Sequence, residues 1–241
     1  MGTKHVVEAE ETTETEEGTT SIKSMKSTLF TTSAYTQIEQ KTLSLLNAQD
    51  DILSLNSLGS PRAAGDAIEA IIADNFEAIL GEWCAEYSSD FARRAMADLA
   101  FSDGDGFYYV IDVKTHRTDT QFNMPNLTSV RRLARFYEDD RNYFVLLLVD
   151  YHVEGGQLLF TSVKFIPIEF LAWDCLTIGV LGWGQIQIAN SNRVTIDPQM
   201  RRRDWMLTLC DVVDVFYGRE IGKIGERIGY FENVRQFWEK K

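Results

Sequence analysis

The chain has 241 residues, of which 44% are hydrophobic, enough for one large domain or two small ones with a substantial core. Its net charge of −12 and pI near 4.7 argue against a broadly basic nucleic-acid-binding surface, so any DNA contact would rest on local basic patches. Three widely spaced cysteines, no apolar run of membrane-spanning length and no signal-peptide pattern favour a cytoplasmic protein without a zinc site, disulfides or membrane contact.

Residues 1–28 are predicted to be a disordered acidic tail, because they contain almost no large apolar side chains. Within residues 1–20, six glutamates face one lysine, a net charge of −5. Such a tail could mimic DNA and compete for a basic cleft, or it could simply be a solvated end of the chain. Residues 29–241 are expected to form a single domain.

A helix is predicted from Pro61 onward, after one or two helices within residues 35–57. Its apolar positions Ile68, Ile71, Ile72 and Phe76 recur with helical spacing. Glu69 adjoins this face and could bring a carboxylate to the neighbouring sheet. Alternatively, Glu69 is an acidic residue favoured near the helix N-terminus by the helix dipole.

A β-hairpin is predicted next, with a first strand after Asp98 and a second strand through Asp112 and Lys114. The turn 103–106 reads Asp-Gly-Asp-Gly and supplies the glycines that a tight hairpin needs. Asp112 and Lys114 are two residues apart in an extended segment, so they project from the same face. In this register Asp98 lies beside Asp112.

Two converging carboxylates repel each other unless a cation lies between them, so the hairpin predicts a Mg²⁺ site at Asp98 and Asp112. The Val113 carbonyl is a further candidate ligand. Lys114 is expected to stabilise negative charge and position a water, since neighbouring carboxylates favour its protonated form. The alternative is a surface Asp–Lys pair at a strand end, of little energetic value.

The remaining chain predicts further strands and helices around this hairpin. A polar loop after Lys114 should enter a helix with Leu127, Val130, Leu133 and Ala134 inward and Arg131, Arg132 and Arg135 outward. Strands are expected at 142–151, 157–166 and 183–188, with a short helix through Trp173 between the last two. From Arg201 the chain reads as helical, with interruptions at its glycines. This order predicts an α/β fold with a mixed central β-sheet flanked by helices.

Several motifs together resemble the HincII-like type II restriction endonucleases of the PD-(D/E)XK superfamily. The first is Ala63-Ala64-Gly65 followed by Glu69, and the second is Asp98 followed by Asp112-Val113-Lys114-Thr115. The third is Pro125-Asn126, then Ser129 and Leu133-Ala134, and looser likeness extends to Gln185-Ile186-Gln187 and Arg203-Asp204-Trp205. The resemblance covers roughly residues 35–235 and implies a restriction-endonuclease-like core.

The resemblance implies Mg²⁺-dependent cleavage of both strands of a short palindromic DNA site, such as a GTYRAC-like hexanucleotide cut to blunt ends. Catalysis would rest on Asp98, Asp112, Lys114 and Glu69, with Asp98, Asp112 and Val113 as metal ligands. A homodimer would match the two-fold symmetry of the site, and a cognate DNA methyltransferase is expected as its companion.

Candidate DNA-binding residues lie in two polar segments and at the end of the catalytic strand. Glutamine, asparagine and arginine read base edges by paired hydrogen bonds, and apolar residues can wedge against base steps. An exposed His116 is expected to contact phosphate rather than act as a base. Any of these residues could equally be ordinary surface positions. They are Thr115, His116, Arg117, Gln121, Phe122, Asn123, Met124, Asn126, Gln185, Gln187, Asn190, Asn192 and Arg193.

Two alternatives to restriction remain open. A repair or recombination nuclease with the same core would act on mismatched or branched DNA. A catalytically silent DNA-binding protein would keep the fold without the chemistry. Digestion of unmodified plasmid distinguishes the first alternative, and metal titration distinguishes the second.

Overall fold

The computed structural model describes residues 26–49, 52, 59–88, 97–120 and 123–241. These residues contain five helices: α1 Thr28–Thr31, α2 Ala34–Asn47, α3 Pro61–Leu80, α4 Val130–Phe136 and α5 Arg202–Glu239. They also contain eight strands: β1 Glu86–Ser88, β2 Leu99–Ser102, β3 Tyr108–Arg117, β4 Asn126–Ser129, β5 Asn142–Glu154, β6 Gln157–Pro167, β7 Leu176–Gly179 and β8 Gln185–Ile188. Short 3-10 helices at Ile168–Phe170 and Trp173–Cys175 replace the single short helix that was expected through Trp173.

A five-stranded mixed sheet has the order β1-β2-β3-β5-β6 and confirms the predicted α/β class. Strands β3 and β5 are parallel over their common length, from Tyr108 opposite Asn142 to Arg117 opposite Tyr151, and the other pairs are antiparallel. The apolar runs of β3 and β5 are buried along most of their length because these strands occupy the interior of the sheet. The central strand β3 also carries Asp112 and Lys114.

Helix α3 packs on this sheet through the predicted apolar stripe. The Ser60 side chain accepts a hydrogen bond from the Ala63 N–H, and Pro61 occupies the first turn, so both residues favour the helix start. Ile68 and Ile72 are fully buried, and the Phe76 ring lies 5.8 Å from the Phe165 ring on β6. The helix is therefore fixed against the face of the sheet that it crosses.

A second sheet of three strands, β4-β8-β7, corrects the expectation for residues 126–129. This segment was predicted to lead from a loop into a helix, but it forms β4, and α4 begins only at Val130. Leu127, Val130 and Leu133 are buried as expected, whereas Ala134 is exposed. Strand β3 also continues through Arg117, so the loop after Lys114 starts later than predicted.

Helix α5 is continuous over 38 residues. The predicted interruptions at its glycines are therefore wrong. Trp205 and Leu209 are buried near its N-terminus, and exposure increases along the helix. None of the helices in the described segments is both long and apolar enough to cross a membrane.

The packed part of the chain begins before residue 28, the predicted end of the acidic tail. Ser27 is buried, and its hydroxyl lies 2.6 Å from the Tyr109 hydroxyl. Its N–H also donates to the Tyr143 hydroxyl. The rest of the predicted tail, residues 1–25, lies outside the described residues.

Candidate active site

The β2–β3 hairpin is held in shape by a buried aspartate in its turn. One Asp103 carboxylate oxygen accepts hydrogen bonds from the N–H groups of Asp105 and Phe107, and the other accepts one from the Tyr109 hydroxyl. Gly106 adopts a positive φ of 80°, which a residue with a side chain rarely takes. The turn thus fixes the register with Leu99 opposite Ile111.

Asp98 lies across the hairpin from the stretch of β3 that carries the other candidate residues. Its N–H donates to the Ile111 carbonyl, and its Oδ2 accepts a 2.7 Å hydrogen bond from the Val113 N–H. Since the N–H and C=O of a strand residue point to the same side, the Val113 carbonyl faces the Asp98 edge too. One aspartate and one main-chain carbonyl therefore share this edge of β3.

Asp112 and Lys114 form a close ion pair on the same face of β3. The Lys114 ammonium donates to Asp112 Oδ1 at 2.6 Å, and the lysine side chain is 24% exposed. Burial raises the pKa of the Asp112 carboxyl to about 7; Lys114 opposes this shift, while the charges of Asp98 and Glu69 add to it. Burial therefore opposes the charged form of Asp112, which is the form that binds a cation.

Glu69 is brought toward this group by the close packing of α3 on β3. A Cβ placed on Gly65 would lie 3.2 Å from Thr115 Oγ1, so glycine allows the helix to approach the strand. Glu69 follows one turn later, is half-buried, and is close enough to raise the pKa of Asp112. The structure thus brings together all four residues predicted to be catalytic.

The donor set at this position suits Mg²⁺. Asp112 Oδ2 is buried and has no hydrogen-bond partner, so an acceptor is left over beside Asp98. Mg²⁺ commonly binds one or two carboxylates and keeps several waters, a coordination that Asp98, Asp112 and the Val113 carbonyl could supply. Within the described segments, no three His, Cys, Asp or Glu side chains are grouped so as to hold a metal by themselves.

The three residues after Lys114 are less available for DNA than predicted. Thr115 is half-buried under α3, beside Gly65. His116 is not the exposed imidazole that was expected: its side chain is 14% exposed, and its Nδ1 lies 3.3 Å from Asp150 Oδ1. The Arg117 guanidinium makes two hydrogen bonds, of 2.6 and 3.0 Å, to Asp119. Arg117 would have to leave Asp119 to bind phosphate.

The two segments predicted to read bases meet in the second sheet. Asn126 on β4 lies opposite Gln187 on β8, and the Gln187 side chain donates to the Asn126 side-chain oxygen at 2.5 Å. Gln185 and Gln187 are half-exposed on one face of β8, while Ile186 and Ile188 are buried on the other. The alternation predicted for this strand is therefore present.

The loops beside these strands are also joined. The Asn123 N–H donates to the Ser191 hydroxyl, and the Ser191 N–H donates to the Asn123 carbonyl. Met124 is 47% exposed, and the Asn190 side chain accepts from the Asn192 N–H. Asn192 and Arg193 are exposed, and the predicted readers Gln121 and Phe122 lie outside the described residues. Seven candidate readers thus share one surface around β4 and β8: Asn123, Met124, Asn126, Gln185, Gln187, Asn190 and Asn192.

Two residues in these regions were missed from the sequence. Asp150 lies opposite His116 in the parallel β3–β5 pair. This contact depends on the register between the two strands, which the sequence alone does not give. Gly179 on β7 leaves room for Gln187, since a Cβ there would lie 2.6 Å from the Gln187 side-chain oxygen. Glycine at this edge therefore allows the Gln187 amide to lie across β7 and reach Asn126.

A cavity of about 990 Å³ beside the N-terminus of α5 contains none of the candidate residues in its lining. Its wall includes the Arg202 guanidinium, which lies over the rings of Tyr137 and Tyr143 at 4.2 and 4.1 Å. Arg202 also donates to Glu169 at 2.9 Å. These contacts tie α5 to the start of β5 and to the turn after β6, which is a structural role.

In comparisons with known proteins, no protein-family model and no curated protein matches the chain. The resemblance to PD-(D/E)XK restriction endonucleases therefore stays a prediction. Its support consists of the motif residues and of the positions that Asp98, Asp112, Lys114 and Glu69 take around β3.

Proposed function

We propose that the chain is a Mg²⁺-dependent endonuclease of the type II restriction class, with a PD-(D/E)XK core, that hydrolyses phosphodiester bonds in duplex DNA. The observation that carries the proposal is the meeting of Asp98, Asp112 and Lys114 at one edge of β3. There, a buried carboxylate oxygen of Asp112 has no hydrogen-bond partner within the described chain. A structural Asp–Lys pair has no need of a second aspartate at this position or of a buried unpaired oxygen.

Each residue of the site has a distinct part in this proposal. Asp98, Asp112 and the Val113 carbonyl would hold Mg²⁺, and the chemistry it would supply there is a water of lowered pKa and neutralisation of charge on the phosphate. Lys114, paired with Asp112 at 2.6 Å, presents its ammonium group to the scissile phosphate and stabilises the charge that develops there. Glu69 orients water from the α3 side. Products would be a 5′-phosphate and a 3′-hydroxyl.

Sequence reading is assigned to the surface around β4 and β8. Gln185, Gln187 and Asn126 carry amides suited to paired hydrogen bonds with base edges, and Met124 offers an exposed apolar tip. The bond between Gln187 and Asn126 holds two of these amides in one orientation before DNA binds. Such preorganisation favours discrimination between bases.

The proposal includes partners and a location. A homodimer would place two active sites across a palindromic site such as a GTYRAC-like hexanucleotide, and would cut both strands to blunt ends. A cognate DNA methyltransferase would protect the host DNA. Both proteins would act in the cytoplasm of a prokaryotic cell, where the DNA is accessible.

The substrate class is tested by incubating the full chain with unmethylated supercoiled plasmid and Mg²⁺. We expect discrete linear fragments with constant ends, and run-off sequencing of those ends gives the recognised site. Cleavage confined to mismatched or branched duplexes would replace restriction with repair. Absence of cleavage on all these substrates, together with no heat released on titrating Mg²⁺ or Ca²⁺ into protein and duplex, would favour a silent DNA-binding protein.

A further inference from the structure

The C-terminal half of α5 has no packing partner within the described chain. From Ile221 to Lys241 every residue is exposed except Gly229 and Val234, which are half-buried. At 1.5 Å per residue, this segment extends about 30 Å. Its exposed side chains include large apolar groups that are costly to leave in water: Ile221, Ile224, Ile228, Tyr230, Phe231, Phe237 and Trp238.

The intrinsic helix propensity of this segment is poor. Gly218, Gly222, Gly225 and Gly229 each cost about 1 kcal/mol relative to alanine in a helix interior. Most helical stability in proteins comes from packing of an apolar face rather than from intrinsic propensity. A continuous helix with four glycines and no packed face therefore needs a partner that covers it.

The apolar residues are spaced for pairing with another helix. Ile221, Ile224, Ile228 and Phe231 follow one another at intervals of three, four and three residues, and Trp238 comes seven residues after Phe231. This is the heptad spacing of a coiled-coil seam. We call these five residues the α5 seam. Gly218, Gly222, Gly225 and Gly229 lie on other sides of the helix, and a Cβ built at any of them has nothing within 4 Å, so the described chain does not cover these positions either.

A second exposed apolar patch lies where the helix leaves the body. Val180, Leu181 and Trp183 in the turn between β7 and β8 are 61%, 63% and 60% exposed. The Tyr217 hydroxyl donates to the Trp183 carbonyl at 2.6 Å, so this turn is fixed to the base of the exposed segment. A partner helix running antiparallel along the seam would bring its own tip, with Trp238, to this patch.

Charge distinguishes among possible partners. Residues 218–241 contain six basic and four acidic side chains, interspersed along the helix. A helix that lies on an anionic membrane carries a strongly basic polar face, whereas this segment is nearly balanced and suits a copy of itself. The exposed apolar side chains of the segment and the turn together offer on the order of 1,000 Å². A stable interface needs about 800 Å² per partner.

We propose that α5 is the dimerisation element of this protein, and that its seam pairs antiparallel with the seam of a second copy. The tip of each helix then rests on the Val180–Trp183 turn of the other protomer. The pairing specifies the interface of the homodimer in the proposed function. It is argued only from α5 and this turn, so loss of nuclease activity would not remove it, and plasmid cleavage tests that activity separately.

Sedimentation of the full chain tests the pairing. We expect the wild type to sediment as a dimer of 27.5 kDa chains at micromolar concentration. Ile224→Glu should raise the dissociation constant at least tenfold and lower the helix content. Tyr230→Glu is the matched control, because Tyr230 is 64% exposed on the opposite side of the helix, and it should leave the dimer intact.

Three outcomes would overturn the proposal. The first is a wild-type chain that stays monomeric at tens of micromolar, whether or not it binds anionic vesicles. The second is an Ile224→Glu dimer as tight as wild type, which would place the interface elsewhere. The third is equal weakening by Ile224→Glu and Tyr230→Glu, which would indicate non-specific association of an apolar helix.

Direction is tested by cross-linking a mixture of ¹⁴N- and ¹⁵N-labelled chains with disuccinimidyl glutarate. Lys223 and Lys240 are 17 residues apart on α5, about 26 Å along the axis, too far for this short reagent within one chain. Antiparallel pairing predicts cross-links between Lys223 of one isotope and Lys240 or Lys241 of the other. Cross-links confined to Lys223–Lys223 and Lys241–Lys241 would show parallel pairing and contradict the antiparallel arrangement.

Discussion

The Asp112 carboxyl is only 6% exposed, whereas the proposed cation site requires its charged form, which burial disfavours. The choice of Asp112 as a candidate site residue, and its position on the same face as Lys114, follow from residue spacing on one strand. Its burial does not, because burial depends on how β5 and α3 enclose β3. The alternative of a solvated Asp–Lys pair at a strand end therefore could be weighed only with the tertiary structure.

Asp112→Asn should stabilise the metal-free protein more at high pH than at low pH. An aspartate carboxyl titrates near 3.9 in an unfolded chain, and burial raises the pKa of Asp112 to about 7. The folded state therefore binds the proton more tightly, and stability falls as pH rises from about 4 to 7. The gain from Asp112→Asn should be roughly 3 kcal/mol larger at pH 8 than at pH 5.

Urea unfolding with EDTA at the two pH values measures this difference. Asp74→Asn, at an exposed position of α3, serves as the control and should show the same small effect at both. If the stability gained by Asp112→Asn were independent of pH, burial would not be raising the pKa of the Asp112 carboxyl.

At the scale of elements, local signals predicted the hairpin, α3, β5 and β6 well, because turn glycines, a capping serine and long apolar runs act within a few residues. Strand β4 was missed since four residues are too few to show alternation, and its partner β8 lies about sixty residues later. The continuity of α5 was missed for a related reason. Its glycines oppose a helix locally, and the stabilising contact that we propose comes from another chain.

Gly65→Leu should loosen the contact between α3 and β3. A Cβ alone would lie 3.2 Å from Thr115 Oγ1, and a larger side chain forces the helix away at a cost of about 1–3 kcal/mol. Because Glu69 lies one turn further along α3, DNA cleavage should fall as well. Adding Thr115→Ala removes the contacting hydroxyl, so the double variant should regain part of the stability.

Thermal denaturation of the four proteins in this double-mutant cycle measures the coupling. Additive effects of Gly65→Leu and Thr115→Ala would contradict a direct contact between these positions. Such a result would also remove the reason for a glycine at this point of α3.

At the scale of the whole molecule, a net charge of −12 restricts how DNA can bind. In the proposed complex, the exposed basic residues around β4 and β8 would have to carry the phosphate contacts, so non-specific binding should be weak and strongly dependent on salt. Arg193 is exposed beside Asn192, whereas Arg117 is engaged by Asp119. The composition predicted that the net negative charge would oppose DNA binding. Which arginines are already paired with an aspartate follows only from the structure.

Arg193→Ala should weaken DNA binding and reduce the slope of log K against log salt by about one, as expected for loss of one phosphate contact. Fluorescence anisotropy with a labelled duplex in Ca²⁺, which replaces Mg²⁺ to limit cleavage, measures the slope. Arg219→Ala, an exposed arginine on α5, is the matched control. Equal slopes for wild type and Arg193→Ala would remove Arg193 from the DNA contact.

Plasmid cleavage by single variants shows whether Asp98, Asp112 and Lys114 form one Mg²⁺-dependent hydrolytic site, as we propose. With equal amounts of folded protein, checked by circular dichroism, Asp98→Ala, Asp112→Ala and Lys114→Ala should each lower the Mg²⁺-dependent cleavage rate by about 1,000-fold or more. Asp74→Ala should cleave at the wild-type rate. Wild-type cleavage by any of the three site variants would contradict the account.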